Sequence, residues 1–264
     1  MRAGGANKSI VNRTLILALG LLVPLCAVGQ TKPAPTGGAW SGTLGAGPML
    51  FPKYVGGRDG QIVPLPIAYV DYDGWFYVNL FRAGAYVWGS ADKTKGLSFS
   101  AEPRLGFKSG DGPRLAGMTT RRDSVAGGPT FDWTGDFGSL SLGYFFDLSH
   151  ASRGSYADVL FDRPLIKNAR WDVSGTLELS RIDANITRYY FGVGRAEVTP
   201  ARPLYQPGST TNATLWITGQ YKVDQRYALM FGVNASRLGS AAADSPVVER
   251  RTAPFAYLGL GIQL

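Results

Sequence analysis

One histidine in this sequence lies between an acidic residue and a serine, the three residue types of a nucleophilic hydrolase. His150 follows Asp147 by three positions and precedes Ser152 by two. Catalysis by such a trio requires an ordered hydrogen bond from serine to base and a site for the oxyanion. These residues lie in a serine-rich stretch, DLSHASRG, which is typical of a turn that caps strands. We therefore predict a turn and no enzyme activity, with a lipid- or ester-cleaving hydrolase as the alternative.

The remaining residue types offer little other chemistry. The sequence has one histidine and one cysteine, Cys26, too few for the usual zinc sites. Acidic residues lie singly and lack the spacing of a calcium-binding loop. Residues 42–47, GTLGAG, resemble a phosphate-binding loop only loosely, because no Lys-Ser/Thr pair closes them. We predict no catalytic residue, no metal site and no cofactor.

Any functional residue must be positioned by β-strands, because apolar and polar residues alternate along most of the chain. The clearest case is residues 170–181, RWDVSGTLELSR. Residues 252–264, TAPFAYLGLGIQL, place Leu258, Leu260 and Ile262 on one face. We expect this last segment to pair with the first strand and close a barrel, the alternative being the last strand of a soluble β-sandwich.

Composition agrees with a sheet protein. Charged residues make up only 17% of the chain, aromatic residues 12%, and glycine occurs 35 times. Low charge, many glycines and many aromatic side chains are typical of barrels with tight turns and aromatic belts. The net charge is +8 and is spread along the chain without a basic block, so we predict no nucleic-acid partner.

The N-terminus has the three parts of a secretory signal peptide. Basic residues precede the apolar run TLILALGLLV, and small residues follow it before Gln30. We predict a signal peptide over residues 1–29, with cleavage after Gly29 and Ala27 as the alternative position, and a flexible linker over residues 30–38. Cys26 suggests a lipoprotein instead, but Leu25 stands where a small residue is needed. Residues 39–264 are then a single barrel domain.

The fold class predicted from these patterns is all-β, a transmembrane antiparallel up-and-down barrel of about twelve strands, with ten as the fallback. The strand candidates are about ten residues long, the length of a tilted membrane-crossing strand. Tight turns are expected around residue 73, at 184–186 and at 223–225. Longer loops are expected at 51–60, 194–210 and 239–251, as outer-membrane barrels alternate short and long connections.

Several segments leave the strand count open. Residues 74–89 are either one bent strand, as counted here, or a short hairpin. Counting them once puts the long connection at 109–128 on the periplasmic side, and residues 115–125 within it are expected to form a short helix. Pro64 and Pro66 each remove a backbone donor from their strand, which indicates an edge or a bulge.

Charged residues on inward-facing positions are also ambiguous. Asp172 and Glu178 fall on the polar face of the strand at 170–181. Such side chains could line a pore, or they could pair with one another and fill a narrow lumen.

Three segments resemble the MipA/OmpV family of Gram-negative outer-membrane proteins. They are PMLFPKYVGG at 48–57, RYYFGVGRAEVTPARPLYQPG at 188–208 and LGSAAADSPVV at 238–248. The chain departs from the family pattern at Gly57 and Ser240. The positions that match the family have no assigned role, and they are Pro48, Tyr54, Gly56, Tyr190, Phe191, Gly192, Val193, Glu197, Tyr205, Gly208, Asp244, Ser245 and Pro246.

The resemblance implies a barrel of twelve strands in the outer membrane without enzyme activity. It further implies a scaffolding role, since one family member links a lytic transglycosylase to a penicillin-binding protein in murein assembly. We therefore expect contacts with outer-membrane lipid and with those two classes of enzyme, and we leave the oligomeric state open. Arg114, Arg121 and Arg122 are the predicted docking residues, on the condition that their connection is periplasmic. A small porin-like channel or an adhesin is the alternative function.

Overall fold

A computed structural model describes residues 40–264 of the chain. Twelve antiparallel strands follow one another around a single sheet that closes where the first strand meets the last. The strands are β1 (Trp40–Pro52), β2 (Gly60–Tyr72), β3 (Phe76–Asn79), β4 (Arg82–Gly89), β5 (Lys95–Arg104), β6 (Ser124–Gly135), β7 (Gly138–Asp147), β8 (Ser155–Lys167), β9 (Trp171–Ile182), β10 (Thr210–Lys222), β11 (Tyr227–Arg237) and β12 (Thr252–Gln263).

The predicted all-β, up-and-down barrel of about twelve strands is confirmed. The predicted signal peptide at 1–29 and linker at 30–38 lie outside the described residues, as does Ala39 at the start of the predicted barrel domain. Within the described part, no helix is long and apolar enough to cross a membrane.

The last strand closes the barrel, as its alternating pattern predicts. Leu260 on β12 pairs with Ala46 on β1, and Tyr257 pairs with Met49. Leu260 points outward and is 70% exposed, whereas Tyr257 points into the lumen and is 5% exposed. A slip of one residue would exchange these faces, so the apolar pattern fixes the register of the closing pair.

The two ends of the barrel differ in the length of their connections. Consecutive strands run in opposite directions, so successive connections alternate between the ends. We call one end the loop end; its long connections are residues 53–59, 105–123, 148–154, 183–209 and 238–251, and the short turn at 80–81 faces the same way. We call the other the turn end; it holds Trp40, Leu264 and the short turns at 73–75, 90–94, 136–137, 168–170 and 223–226.

The connection between β5 and β6 lies at the loop end, and its predicted place on the side of the chain termini is wrong. The cause is the segment 74–89, which forms the hairpin of β3 and β4 rather than one strand. One additional turn moves the next long connection to the opposite end.

Two local predictions inside the connections are also wrong. Residues 115–125 form no helix: two 3₁₀ turns, Ser109–Asp111 and Pro113–Leu115, precede extended chain, and β6 begins at Ser124. The tight turn predicted at 184–186 is instead the start of helix α1 (Ala184–Phe191). Its buried residues recur at helical rather than alternating spacing, since Ile186, Thr187, Tyr190 and Phe191 share one face.

Aromatic side chains surround the turn end on its outer surface. Four tryptophans there are 41–50% exposed, namely Trp40, Trp88, Trp133 and Trp171. Tryptophan is enriched where a membrane meets water, because its ring is apolar and its N–H is polar. The expected aromatic belt is therefore present at this end.

The lumen is filled by two chemically different sets of side chains. We call the set from β1, β2, β11 and β12 the apolar half; its buried residues are Met49, Phe51, Val63, Leu65, Ile67, Met230 and Tyr257. We call the set from β4 to β9 the charged half, and it includes Arg82, Glu102, Asp158 and Glu178.

Candidate functional site

The long connections pack together into a cap over the loop end. The cap has its own apolar core, to which the connections at 53–59, 105–123, 183–209 and 238–251 all contribute. Leu115, Val193 and Ala242 in this core are fully buried. A second helix, α2 (Ser240–Ala243), completes it. Loops with a shared core are ordered by burial of apolar surface, as the strands are.

The three segments that resemble the MipA/OmpV family meet in this cap. The Tyr54 hydroxyl donates to the Val247 carbonyl at 3.0 Å and to Glu249 at 2.9 Å. Burial, together with the Glu249 carboxylate, raises the pKa of Tyr54, so its hydroxyl stays protonated as a donor. Gly56 has φ +91°, and an added Cβ would lie 2.9 Å from Val248, so this position requires glycine.

Helix α1 joins the second family segment to the third. The Asp183 side chain caps the helix by accepting the N–H of Ile186 at 2.9 Å. At the other end, the Gly192 N–H donates to the Arg188 carbonyl. The Ser245 hydroxyl donates to the Phe191 carbonyl at 2.5 Å, which ties the helix to the connection before β12.

Glu197 is the electrostatic centre of the cap. It is 7% exposed, and Arg121 donates to it at 2.9 Å. The N–H groups of Gly194 and Thr119 also donate to its carboxylate, each at 2.9 Å. Burial alone would raise the pKa of Glu197, but these donors outweigh burial and lower the pKa from 4.5 to about 2.

Arg202 supports the same centre by binding backbone carbonyl groups. It is 6% exposed and donates to the carbonyl oxygens of Glu197, Arg114 and Ala116, at 2.8–3.0 Å. One guanidinium group thereby donates hydrogen bonds to the backbone carbonyl groups of several turns. Sequence analysis missed Arg202, since a single arginine in a proline-rich loop carries no pattern.

The other family positions have smaller or no visible roles. The Tyr205 hydroxyl donates to the Ala241 carbonyl at 3.0 Å. Asp244 forms an exposed ion pair with Arg251 at 2.7 Å. Pro48 points outward from β1, away from the cap, and an added Cβ at Gly208 would contact nothing within 4 Å. For Pro48 and Gly208 the structure gives no physical reason for the match.

The predicted docking arginines lie at the loop end, and two of them bind inside the cap. Arg114 donates to the carbonyls of Pro246 and Val248, at 3.3 and 2.7 Å. Arg121 donates to Glu197 and to the Tyr189 carbonyl, the latter at 2.7 Å. Arg122 has an exposed side chain. Their connection lies at the end opposite Leu264, and their docking role stays a prediction.

The histidine, serine and aspartate of the hydrolase alternative form a turn. The Ser152 hydroxyl donates to Asp147 at 2.7 Å rather than to the histidine. Asp147 also accepts the N–H groups of Ser149, Ser152 and Arg153, which fixes the loop after β7. His150 is exposed with φ +53°, and its Nδ1 lies 3.0 Å from the Leu148 carbonyl. His150 is therefore not placed to accept a proton from the Ser152 hydroxyl.

A second charged centre lies in the lumen below the cap. Arg82 on β4 binds Glu102 on β5 at 2.8 Å and Asp158 on β8 at 2.5 Å. The Tyr156 hydroxyl donates to Glu102. The Arg104 guanidinium stacks on the ring of Tyr156, 4.7 Å from its centroid. Because β4 and β8 are four strands apart, the Arg82–Asp158 pair crosses the lumen rather than following the wall.

Sequence analysis placed part of this centre correctly. Glu178 points inward as predicted and accepts a hydrogen bond from the Trp216 indole at 3.3 Å. Asp172 also falls on the lumen side of β9, in register with Gln220. Arg82, Glu102 and Asp158 were missed, although the alternation of β5 could have revealed Glu102. In the described part of the chain, no three histidine, cysteine or acidic side chains converge as a metal site would require.

Comparison with known proteins gives one family and two relatives. The profile of the family described as MltA-interacting protein MipA matches residues 44–264. A 24 kDa outer membrane protein of Pasteurella multocida (strain Pm70) is 22% identical over 129 residues, 48% of this chain and 50% of the relative. Outer membrane protein Omp26La of Vibrio anguillarum is 26% identical over 135 residues, 51% of this chain and 52% of the relative.

The chain thus aligns with about half the length of each relative. The family match is broader, because it begins in β1 and ends after β12, so it includes the cap, the lumen centre and the closing pair of strands. A closed twelve-stranded barrel and relatives named for the outer membrane agree with it. The chain belongs to the MltA-interacting protein MipA family and is an outer-membrane β-barrel protein.

Proposed function

We propose that this protein is a structural and scaffolding barrel of the Gram-negative outer membrane, exported by its signal peptide, with its turn end in the periplasm. The observation that carries the proposal is the difference between the ends. Trp40 and Leu264 lie at the turn end, and every long connection described lies at the loop end. Outer-membrane barrels keep short turns in the periplasm and long loops outside. A packed cap and a filled lumen suit a structural component better than an open channel.

The scaffolding part of the proposal concerns enzymes of murein assembly. The family description names an interaction with MltA, which supports a scaffolding role. The two enzyme classes, a lytic transglycosylase and a penicillin-binding protein, are those that the sequence resemblance implies. Enzymes in the periplasm reach the turn end. Exposed charged side chains are available there from five turns, namely Asp73, Lys93, Asp136, Arg170, Asp224 and Arg226.

Co-purification from detergent-extracted outer membranes, read out by mass spectrometry, tests this docking. A turn-end variant carries Asp73→Arg and Asp136→Arg, and a loop-end variant with Arg122→Glu is the matched control. We expect the tagged wild-type protein and the control to recover a transglycosylase and a penicillin-binding protein, and the turn-end variant to recover less. Recovery of neither enzyme by the wild-type protein would contradict the scaffolding role.

The charged half of the lumen favours one alternative, a small diffusion pore. Asp132 and Asp158 each have a buried carboxylate oxygen without a partner in the described structure, and water or ions in a pore could satisfy it. Planar-bilayer recordings separate the two functions. We expect no discrete conductance steps from the wild-type barrel, because Arg82 and the cap close the path. Regular steps would favour the pore.

Exposed apolar side chains on the cap favour the other alternative, an adhesin. Val198 and Leu204 are 46% and 50% exposed in the connection between β9 and β10. Exposed apolar residues can mark a surface that binds another molecule. Whole-cell adhesion assays with Val198→Ser and Leu204→Ser test this function, and an unchanged adhesion would remove the support from these residues.

A further inference from the structure

The barrel wall is incomplete between β2 and β5 in its loop-end half. The β3–β4 hairpin turns back early, at Leu80 and Phe81, where the Leu80 N–H donates to the Ala68 carbonyl at 2.8 Å. Beyond that point residues 60–67 of β2 pair only with β1, and residues 102–104 of β5 pair only with β6. We call the space between these two stretches the lateral gap. Two strands, each about 4.8 Å wide in the sheet, are missing from the ladder there.

Three prolines border the lateral gap with their nitrogen atoms directed into it. The Ala68 carbonyl points to β3, so Pro64 and Pro66, at alternate positions of the same strand, direct their backbone nitrogens to the same side. The Lys95 carbonyl accepts a bond from the turn after β4, so Pro103 directs its nitrogen to the gap as well. The edge predicted from Pro64 and Pro66 is confirmed.

Proline at these positions prevents the gap from being closed by hydrogen bonds. A strand that enters the gap needs N–H donors from β2 and β5, and proline has none. Natural sheets use edge prolines to block pairing with another chain. The prolines therefore disfavour closure of the gap, whether by a strand of another chain or by a longer β3–β4 hairpin.

The lateral gap opens onto the apolar half of the lumen. Leu80, Phe81 and Leu105 pack against that cluster from the side of the gap. The Phe81 ring lies edge-on to Phe255 of β12, with 5.6 Å between centroids. Leu80 has φ +54°, a left-handed backbone that is uncommon for leucine. Leu80 and Phe81 at the tip of the hairpin, together with Leu105, cover the apolar interior on this side.

The surface above the lateral gap is suited to a phosphorylated headgroup. Arg58 and Lys108 are exposed in the two connections that border it. Tyr54 and Phe107, with ring centroids 6.1 Å apart, join those connections into a roof. Across all the long connections basic residues outnumber acidic ones. Positive charge near a membrane surface attracts anionic lipid.

We propose that the lateral gap binds an acyl chain of a phosphorylated lipid of the outer leaflet, lipopolysaccharide, which lies in the gap against Leu80 and Phe81, the side chains that cover the apolar half there. The proposal rests on the orientation proposed above, which places the loop end outside. A partner strand is disfavoured by the prolines, and water is disfavoured by the apolar side chains behind the gap.

Photo-cross-linking of the full-length protein in native outer membranes tests the site. Benzoylphenylalanine replaces Phe81, inside the gap, or Phe145, a fully buried aromatic residue of the charged half that serves as the control. The same group in place of Ile62, which faces outward on β2 and is 68% exposed, is the positive control for lipid. We expect lipopolysaccharide adducts at 81 and 62 and none at 145. Adducts at 62 with none at 81 would overturn the proposal.

A second outcome would distinguish an error in the proposed binding site from an error in the proposed orientation of the barrel. Adducts of inner-leaflet phospholipid at both 81 and 62 would keep the lateral site and reverse the proposed orientation of the barrel. The co-purification experiment does not depend on lipid binding, so its result stands apart. Adducts at 81 that contain another protein chain instead of lipid would overturn the proposal.

Replacing the prolines tests what keeps the gap open. The variant Pro64→Val, Pro66→Val, Pro103→Val regains three donors, and Pro129→Val on β6, which has strands on both sides, is the matched control. We expect the triple variant to lose most of the lipid adduct at 81 and to form dimers in semi-native gels, and the control to do neither. Full adduct yield without dimers in the triple variant would overturn the role of the prolines.

Discussion

Two buried arginine–carboxylate centres stabilise this barrel, one in the lumen and one in the cap. In the lumen Arg82 binds two carboxylates, Glu102 and Asp158, and all three groups are side chains on different strands. In the cap Arg121 binds one carboxylate, Glu197, whose other donors are backbone N–H groups. Both centres are shielded from solvent, yet one arginine is opposed by two acidic residues and the other by one.

This difference indicates what each centre controls. A carboxylate held by backbone donors keeps part of its stabilisation when its arginine is lost, because those donors stay in place. Two carboxylates that share one guanidinium lose their main counter-charge together, and a buried charge without a partner is costly. We therefore expect the lumen centre to govern unfolding of the whole barrel and the cap centre to govern local opening of the connections.

The largest expected effect comes from removing the lumen cation. Arg82→Met keeps a long side chain but leaves Glu102 and Asp158 facing each other without it. We expect the free energy of unfolding to fall by about 3–5 kcal/mol, the usual cost of breaking a buried ion pair. Urea unfolding of the barrel refolded in lipid vesicles measures this change.

A charge-neutral variant is the control for Arg82→Met. Combining it with Glu102→Gln and Asp158→Asn removes all three charges and should recover most of the lost stability. If Arg82→Met alone costs less than about 1 kcal/mol, the lumen centre is no stronger than an exposed pair, and the distinction between the two centres fails.

Acid should open the cap before it unfolds the barrel. Glu197 has a pKa of about 2 in the folded protein and an ordinary value of 4.5. A lowered pKa stabilises the folded form above pH 4.5, and the benefit disappears as the pH falls from 4.5 towards 2. The shift corresponds to about 3 kcal/mol of cap stability. Cleavage of the long connections by an acid-active protease across this pH range measures the opening.

Glu197→Gln separates this titration from other effects of acid. The amide keeps the size of the carboxylate but cannot titrate. Cleavage by a protease active at neutral pH should therefore be faster than in the wild-type protein, and cleavage by the acid-active protease should change little between pH 4.5 and 2. A wild-type pH profile reproduced by the variant would show that another group opens the cap.

A smaller effect is expected where the cap is joined by a neutral donor. Tyr54→Phe keeps the ring in the core but removes the hydrogen bonds to the Val247 carbonyl and to Glu249. We expect a local loss of about 1 kcal/mol, seen as faster hydrogen exchange around residues 247–250. Tyr205→Phe, which loses its bond to Ala241, is the matched control. If either substitution accelerates hydrogen exchange equally around Ala241 and around residues 247–250, the cap opens as one unit.

The barrel was predictable from sequence because its signal is repeated in every strand. Alternation fixes the faces of β9 and β12 with no knowledge of their partners. The short hairpin of β3 and β4 carries too few residues to show alternation, and it decides to which end the next connection belongs. Helix α1 was missed because it is short and its sequence was divided between two interpretations. Its first residues were read as a tight turn at 184–186, and Tyr190 and Phe191 were read as part of the family segment at 188–208.

The site was less predictable, because its contacts join segments far apart in the chain. Tyr54 bonds to Val247, and Arg121 to Glu197, through geometry that the barrel supplies. A family signature can show that residues such as Glu197 belong together, but it does not indicate that they act by holding one another. The two neighbouring arginines of the cap illustrate the limit of sequence pattern most directly.

Arg121 and Arg122 look equivalent in sequence and should differ most clearly by experiment. Arg121→Ala removes the counter-charge of Glu197 and the bond to the Tyr189 carbonyl, so protease cleavage of the cap at neutral pH should be faster. Arg122→Ala should change stability by less than about 0.5 kcal/mol, since its backbone N–H, which donates to the Tyr189 hydroxyl at 2.7 Å, is retained. If the two variants are cleaved equally fast, losing the buried Arg121 side chain has no more effect than losing the exposed Arg122 side chain. The cap centre would then not depend on the Arg121–Glu197 pair.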